Sequence, residues 1–126
     1  MIADVTLSTP SEFVDDKRLP SFRKGAEWAA AQMDKEPELD LARFEGMSWA
    51  KLKKVNIEPP EYTVARRLIH KAAKNRSGSI GPGWRAKNDR AFWLGVRDAS
   101  TAVMEWWLDS DRLVDYQQEV RFSIVG

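Results

Sequence analysis

The sequence predicts an α+β fold: one mostly helical domain spanning residues 1–126, with a small sheet made by its N- and C-terminal strands. Three observations carry that expectation. Apolar residues recur at helical spacing through most of the chain, most clearly as Phe92, Val96, Ala99, Val103 and Trp106, which step by 4-3-4-3. The two ends alternate instead: Ala3, Val5 and Leu7 oppose Ile2, Asp4 and Thr6, while Val120, Phe122 and Ile124 oppose Glu119, Arg121 and Ser123. A length of 126 residues with 43% apolar content suffices to bury a core without disulfide or metal staples.

Taken in order, Ile2 to Leu7 reads as a short strand, ended at Thr9-Pro10-Ser11, and Phe13 to Pro20 as a charged loop broken by Pro20. Ser21 is placed to cap a helix over Phe22 to Lys35, with Phe22, Ala26, Ala29 or Ala30, and Met33 inward. Gly25 inside it costs roughly 1 kcal/mol against alanine, which implies close packing on another backbone. Beyond Pro37, a short helix holds Leu39, Leu41, Ala42 and Phe44 and stops at Gly46. Ser48 caps another over Trp49 to Lys54, with Trp49 and Leu52 inward. Val55 to Ile57 is extended ahead of Pro59-Pro60, and Pro60 opens a helix to Asn75 striped by Tyr62, Ala65, Leu68 or Ile69, and Ala72. Arg76 to Lys87, with three glycines and Pro82, reads as a loop. Asp89 to Leu108 reads as the central helix, broken by Asp109-Ser110-Asp111, with a further turn of helix reaching Tyr116. Phe22-x-x-Gly25-x-x-x-Ala29 and Phe92-x-x-Gly95-x-x-x-Ala99 share a spacing, the pattern of two helices that pack through glycine notches.

Composition removes whole classes of chemistry. Without cysteine there is no disulfide framework, thiolate zinc site, iron–sulfur cluster or cysteine nucleophile, and one histidine cannot build a histidine metal cluster. No cofactor and no membrane span are expected, and Met1-Ile2-Ala3-Asp4 lacks a secretory pattern, so the expected location is cytoplasmic. The net charge of +1 conceals a strong asymmetry. Residues 1–48 carry 10 acidic and 6 basic side chains (−4), residues 49–90 carry 3 and 11 (+8), and residues 91–126 carry 6 and 3 (−3). Either the acidic ends neutralise the basic middle, or the middle forms a positive face for an acidic partner.

Candidate motifs are fragmentary. Ser77-Gly78-Ser79-Ile80-Gly81-Pro82-Gly83 lacks the lysine and hydroxyl that a P-loop places after its second glycine, because Trp84-Arg85 follow. Its basic flanks nevertheless suit a phosphate backbone, and Trp84 is placed either to stack on a base or equally to plug the core. His70 has no local nucleophile or carboxylate that would make a triad. Asp4 with Asp15-Asp16-Lys17 is faintly similar to a metal-dependent nuclease core, but Asp16 stands where an apolar residue belongs. Asp109, Asp111 and Asp115 resemble a calcium-loop fragment without its glycine, and capping is the simpler role. Ala50 to Ile69 resembles a helix-turn-helix, with Thr63 to Leu68 similar to the start of a recognition helix. Its turn is too long and too rich in proline, and Lys54 stands at the usual glycine.

The chain is thus expected to be a non-enzymatic binding module. Its basic middle, through Arg66, Arg67, Lys71, Lys74, Arg76, Trp84, Arg85, Lys87 and Arg90, would engage nucleic acid or an acidic protein of nucleic-acid machinery. The alternative is a helix-turn-helix-like DNA binder. In size, lack of cysteine and aromatic richness the chain is similar to small phage-encoded proteins that block host defence systems, including anti-CRISPR proteins. That likeness implies an inhibitor and carries over no residues. A homodimer through the C-terminal strand or Trp106 and Trp107 is a further expectation, since adjacent helical residues diverge by about 100° and one indole must face outward.

Overall fold

Prolines, caps and glycines place the helix ends. The computed structural model describes residues 14–35, 44–55 and 57–125. Helix α1 (Leu19–Asp34) has Pro20 in its first turn, where a missing N–H costs nothing. The Asp15 carbonyl accepts from the Arg18 and Leu19 N–H groups at 3.0 and 3.1 Å, so the helix starts ahead of Ser21 and proline initiates instead of breaking it. Helix α2 (Trp49–Lys54) is capped as expected, with Ser48 Oγ accepting from the Lys51 N–H at 3.3 Å. Helix α3 (Pro60–Gly78) also opens on proline, and helix α4 (Trp84–Leu108) follows after only five residues. The loop expected over Arg76 to Lys87 is therefore confined to residues 79–83, and both flanks are helical. Helix α5 (Arg112–Val125) closes the described chain.

The expected sheet is overturned: 81% of the described chain is helical and none of it is strand. The N-terminal strand over residues 2–7 and most of the short helix before Phe44 lie outside the described residues. At the other end, Val120 to Ile124 belongs to α5. Three alternating apolar residues lose to a longer helical pattern: Leu113, Tyr116 and Val120 fall on one helical face, and the intervening Gln117, Gln118 and Glu119 favour helix. Phe122, which a strand would have buried beside Val120, is 80% exposed.

The main core is a three-helix cluster. Ala26, Ala29 and Met33 of α1 meet Val64, Ala65, Leu68 and Ala72 of α3 and Val96, Ala99 and Val103 of α4. Its tightest element is the crossing of α1 and α4. A Cβ built on Gly25 would fall 2.7 Å from the Phe92 carbonyl carbon and closer still to its oxygen. One built on Gly95 would fall 2.9 Å from both the Phe22 carbonyl carbon and the Ala26 nitrogen. Phe22 thus faces Gly95, and Gly25 faces Phe92, in opposite chain directions. The two sequence echoes pack against each other, antiparallel, about a local two-fold axis. Trp28 covers one flank, 6.0 Å from Phe92 and 5.8 Å edge-on to Trp93, and Lys71 lies over its ring at 5.6 Å.

A second cluster joins Phe44, Leu52 and Ile57 to Val120 of α5. Gln117 Nε2 donates to the Ile57 carbonyl at 2.6 Å, which ties α5 to the extended segment before α3. Between α4 and α5 the chain kinks as expected, with Ser110 and Asp111 in the left-handed region at φ 54° and 58°. Arg112 Nη1 donates to the Trp106 and Asp109 carbonyls at 2.9 and 3.2 Å, satisfying acceptors that α4 leaves open. Two aromatic expectations are reversed. Trp49 is exposed, because the one buried position of α2 is Leu52. Trp107 faces inward instead of Trp106, held by an Nε1–H bond to Glu61 Oε1 at 2.6 Å.

Gly25→Ala and Gly95→Ala are each expected to destabilise by about 1–3 kcal/mol or more, because the obstructing atoms are backbone and cannot rotate away. Gly78→Ala, in open space at a helix end, should be neutral or slightly stabilising. Thermal melts of the three variants by circular dichroism separate these outcomes.

Candidate functional site

Three chain segments converge where α3 hands over to α4. Residues 14–18 fold back so that Val14 packs on Phe22, Ala91 and Leu94. This brings the start of α1 against the end of α3 and the first turns of α4, leaving a cleft of about 520 Å³. Its lining includes Arg18, Arg76, Lys87 and Arg90 with Ser77, against the single carboxylate of Asp15. That volume falls within the roughly 300–1,000 Å³ of small-ligand sites.

The cleft has a fixed roof. Arg90 Nη1 donates to the carbonyls of Ser79 and Gly81 at 2.7 and 3.0 Å, so its guanidinium pins the glycine turn while still lining the cleft. Gly81 has φ +136°, a backbone that side chains rarely allow. The turn ends in the side chains least expected at a surface: Ile80 is 86% exposed and Trp84 63%. The Arg85 guanidinium lies over the Trp84 ring at 5.2 Å. Trp84, Lys87 and Arg90 are spaced three apart on one helix, so the indole stands one turn from the cleft rim.

Arg18 is the floor of the site. Its side chain is only 16% exposed, and Nη1 is 3.9 Å from Asp15 Oδ1. Its Nε is buried with no hydrogen-bond partner among the described residues. An orphaned guanidinium N–H is costly, and it is the rest of the Arg18 side chain that lines the cleft.

The nine residues expected from sequence divide into groups. Arg76, Lys87 and Arg90 line the cleft; Trp84 and Arg85, which contact each other, lie outside its lining, with Trp84 one helical turn before Lys87. Arg67 and Lys74 are exposed on α3, seven residues apart and so on nearly one face. Lys71 is engaged with Trp28. Arg66 is held away from the cleft by an ion pair. Its Nη2 meets Glu58 Oε2 at 2.8 Å, and the same oxygen accepts from Thr63 Oγ1 at 2.9 Å. Sequence reasoning misses Arg18 and Ser77. Arg18 lies far from the basic middle in sequence, and only the folding back of residues 14–18 brings it in.

The remaining motifs resolve structurally. His70 is exposed. Asp15 makes a turn, its Oδ1 accepting from the Arg18 N–H at 3.0 Å. Asp109 pairs with Arg112 at 3.6 Å at the kink. Among the described residues, no group of three histidines or carboxylates is arranged to hold a metal, and no helix is long and apolar enough to cross a membrane. In α2, Leu52 packs with Phe44, Ile57 and Val120 instead of the α3 core, unlike the first helix of a helix-turn-helix, which packs on the second.

A second polar cluster lies at the far end of the bundle, where Glu61, Trp107 and Tyr116 meet. Burial pushes the Glu61 carboxyl above the ordinary carboxylate range, against the opposing pull of the Trp107 hydrogen bond, and the charge of Asp34 adds to the rise. Burial also raises the Tyr116 phenol, and the Glu61 charge raises it further.

What these features define is a helical protein with a cationic, aromatic-rimmed cleft. Compared with protein-family models, curated proteins and solved structures, the chain matches none.

Two expectations follow from this geometry. Arg90→Ala should cost about 1.5–3 kcal/mol, because it removes two charge-assisted bonds to the turn carbonyls. Hydrogen exchange at residues 79–84 should rise first. For Glu61 the protonated form is favoured by folding, so its contribution is present at low pH and is lost as pH rises from the ordinary carboxylate range through the raised folded value. Glu61→Gln, a neutral mimic that still accepts from Trp107, should therefore lose less stability than wild type between about pH 4 and about pH 7. Paired melts across that range test it.

Proposed function

We propose that the chain is a non-enzymatic binding module that engages an acidic partner through the basic surface around the α3–α4 turn, and that this partner is nucleic acid. The observation that carries the reading is the convergence of Arg18, Arg76, Lys87 and Arg90 on one cleft beside an exposed tryptophan. Three of the four are arginines, whose planar forks match phosphate oxygens. Cations give affinity for a phosphate backbone, and an aromatic face gives a base something to stack on, whereas an acidic protein needs only the cations. Exposed Arg67 and Lys74 extend the positive field along α3.

A helix-turn-helix reading has less support. It needs Arg66 available to DNA, but Arg66 is tied to Glu58. It also needs α2 braced on α3, but Leu52 belongs to the α5 cluster.

The test is salt-dependent binding of labelled oligonucleotides by the full chain. Wild type should bind at about 50 mM salt and weaken steeply by about 200 mM. Arg67→Glu with Lys74→Glu should weaken binding at least about tenfold and flatten the salt slope. No salt-sensitive binding to any oligonucleotide would reject nucleic acid as the partner.

A further inference from the structure

Resting on that reading, we infer that the cleft is a phosphate seat for single-stranded nucleic acid, with Arg18 as its inner donor and Trp84 as the platform for the adjacent base. Three independent features meet there. The cleft is concave, about 520 Å³, and lined by four cations with one carboxylate. Arg18, its side chain only 16% exposed, contributes to that lining from the start of α1. Trp84, one helical turn from Lys87, holds its indole 63% exposed with the Arg85 guanidinium against one face.

Each feature selects a part of the ligand. The buried guanidinium and the Lys87 ammonium call for a compact oxyanion that can enter a cleft, which a flat carboxylate-studded protein surface does not offer. Ser77 donates its hydroxyl proton to the Ala73 carbonyl at 3.0 Å, so it lines the cleft without adding a donor or a charge. Asp15, at the cleft and 60% exposed, opposes any anion there, so the seat holds one phosphate more readily than a dense cluster of them. The tryptophan then decides strandedness. Bases in a duplex are stacked on one another and present only their edges, so an indole on the protein surface has no face to meet. Bases in a single strand can splay outward onto it.

The experiment uses the full chain and an oligothymidylate of about 20 nucleotides, with a duplex of the same length and thymidine monophosphate as comparison probes. Fluorescence anisotropy is read on wild type, Trp84→Ala, Arg18→Gln, Lys87→Gln and Lys74→Gln, each first checked for an unchanged thermal melt. Wild type is expected to prefer the single strand by about tenfold or more, and Trp84→Ala to erase that preference while leaving duplex binding intact. Arg18→Gln is expected to weaken single-strand binding more than Lys74→Gln does. Should Arg18→Gln fail to fold, Lys87→Gln carries the same comparison. If both cleft variants lose no more than Lys74→Gln, or Trp84→Ala leaves the preference unchanged, the seat is overturned while the broader basic-surface reading stands. Binding of thymidine monophosphate as tight as that of the strand would overturn it too, making a free nucleotide the ligand. Absence of all oligonucleotide binding would remove the inference together with the reading beneath it.

Discussion

The antiparallel crossing of α1 and α4 is the constraint on which the rest depends. Two helices can approach to backbone contact only where neither carries a Cβ, and Gly25 and Gly95 supply that absence reciprocally. Glycine in a helix interior is unfavourable by roughly 0.5–1 kcal/mol. The gain is contact between backbones. Because the backbone at Phe92 lies against Gly25 and that at Phe22 against Gly95, neither helix can slide or rotate without breaking both contacts. That fixed register brings the chain entering α1 against the first turns of α4, where Val14 can pack on Ala91 and Leu94. The cationic cleft is a by-product of this geometry: it is the space left where the folded-back segment, the end of α3 and the start of α4 fail to close completely.

The charge asymmetry of the sequence acquires a spatial meaning from the same packing. A basic stretch flanked by acidic ends permits neutralisation of the middle by the ends, but these two pairs are local. Glu58 holds Arg66 within the basic middle, and Asp15 stands near Arg18 within the acidic N-terminal stretch. The cations around the α3–α4 turn are arranged differently. They lie at the end of α3 and the start of α4. At the start of α4 the helix dipole opposes added positive charge. Arg90 offsets part of this by donating to turn carbonyls, so one cation is used structurally to hold the loop on which the other groups depend.

Much of this is legible in the sequence, and the failures have specific causes. The 4-3-4-3 stripe locates α4, and the repeated Phe-x-x-Gly spacing identifies which helices touch, because close approach demands glycine and little else does. The C-terminal strand expectation fails because three alternating residues satisfy a period of two as easily as the start of a helical face. Val120 turns inward in either arrangement, and Leu113 and Tyr116 upstream set the outcome. Pro20 reads as a stop although in a first turn it is a start, and the difference depends on the Asp15 turn that precedes it. For the candidate site, local composition reveals the cluster on α3 and α4. It does not reveal Arg18, whose place depends on a tertiary contact made by Val14. Trp106 and Trp107 show the same limit: a helical stripe selects a face, but the Glu61 acceptor on another helix decides which indole turns in.

Concentrating four cations around one cleft opposes folding, and the structure shows how that opposition is distributed. Stability resides in the α1–α3–α4 core, away from the cleft, where small residues and Met33 pack together, with Ser100 as a buried polar side chain of α4. The cleft contributes little apolar burial beyond Phe22, Ala91, Leu94 and Val14. Its cations therefore sit on a frame that does not need them to be neutralised. A buried guanidinium N–H without an acceptor among the described residues is a local cost that the frame tolerates. On the proposed reading, the frame keeps the donors in place before a ligand arrives, so little ordering entropy would be lost on binding. A flexible basic tail would carry the same charge at lower cost to folding, but it would lose the fixed spacing between Lys87 and Trp84 on which the proposed preference for a single strand rests.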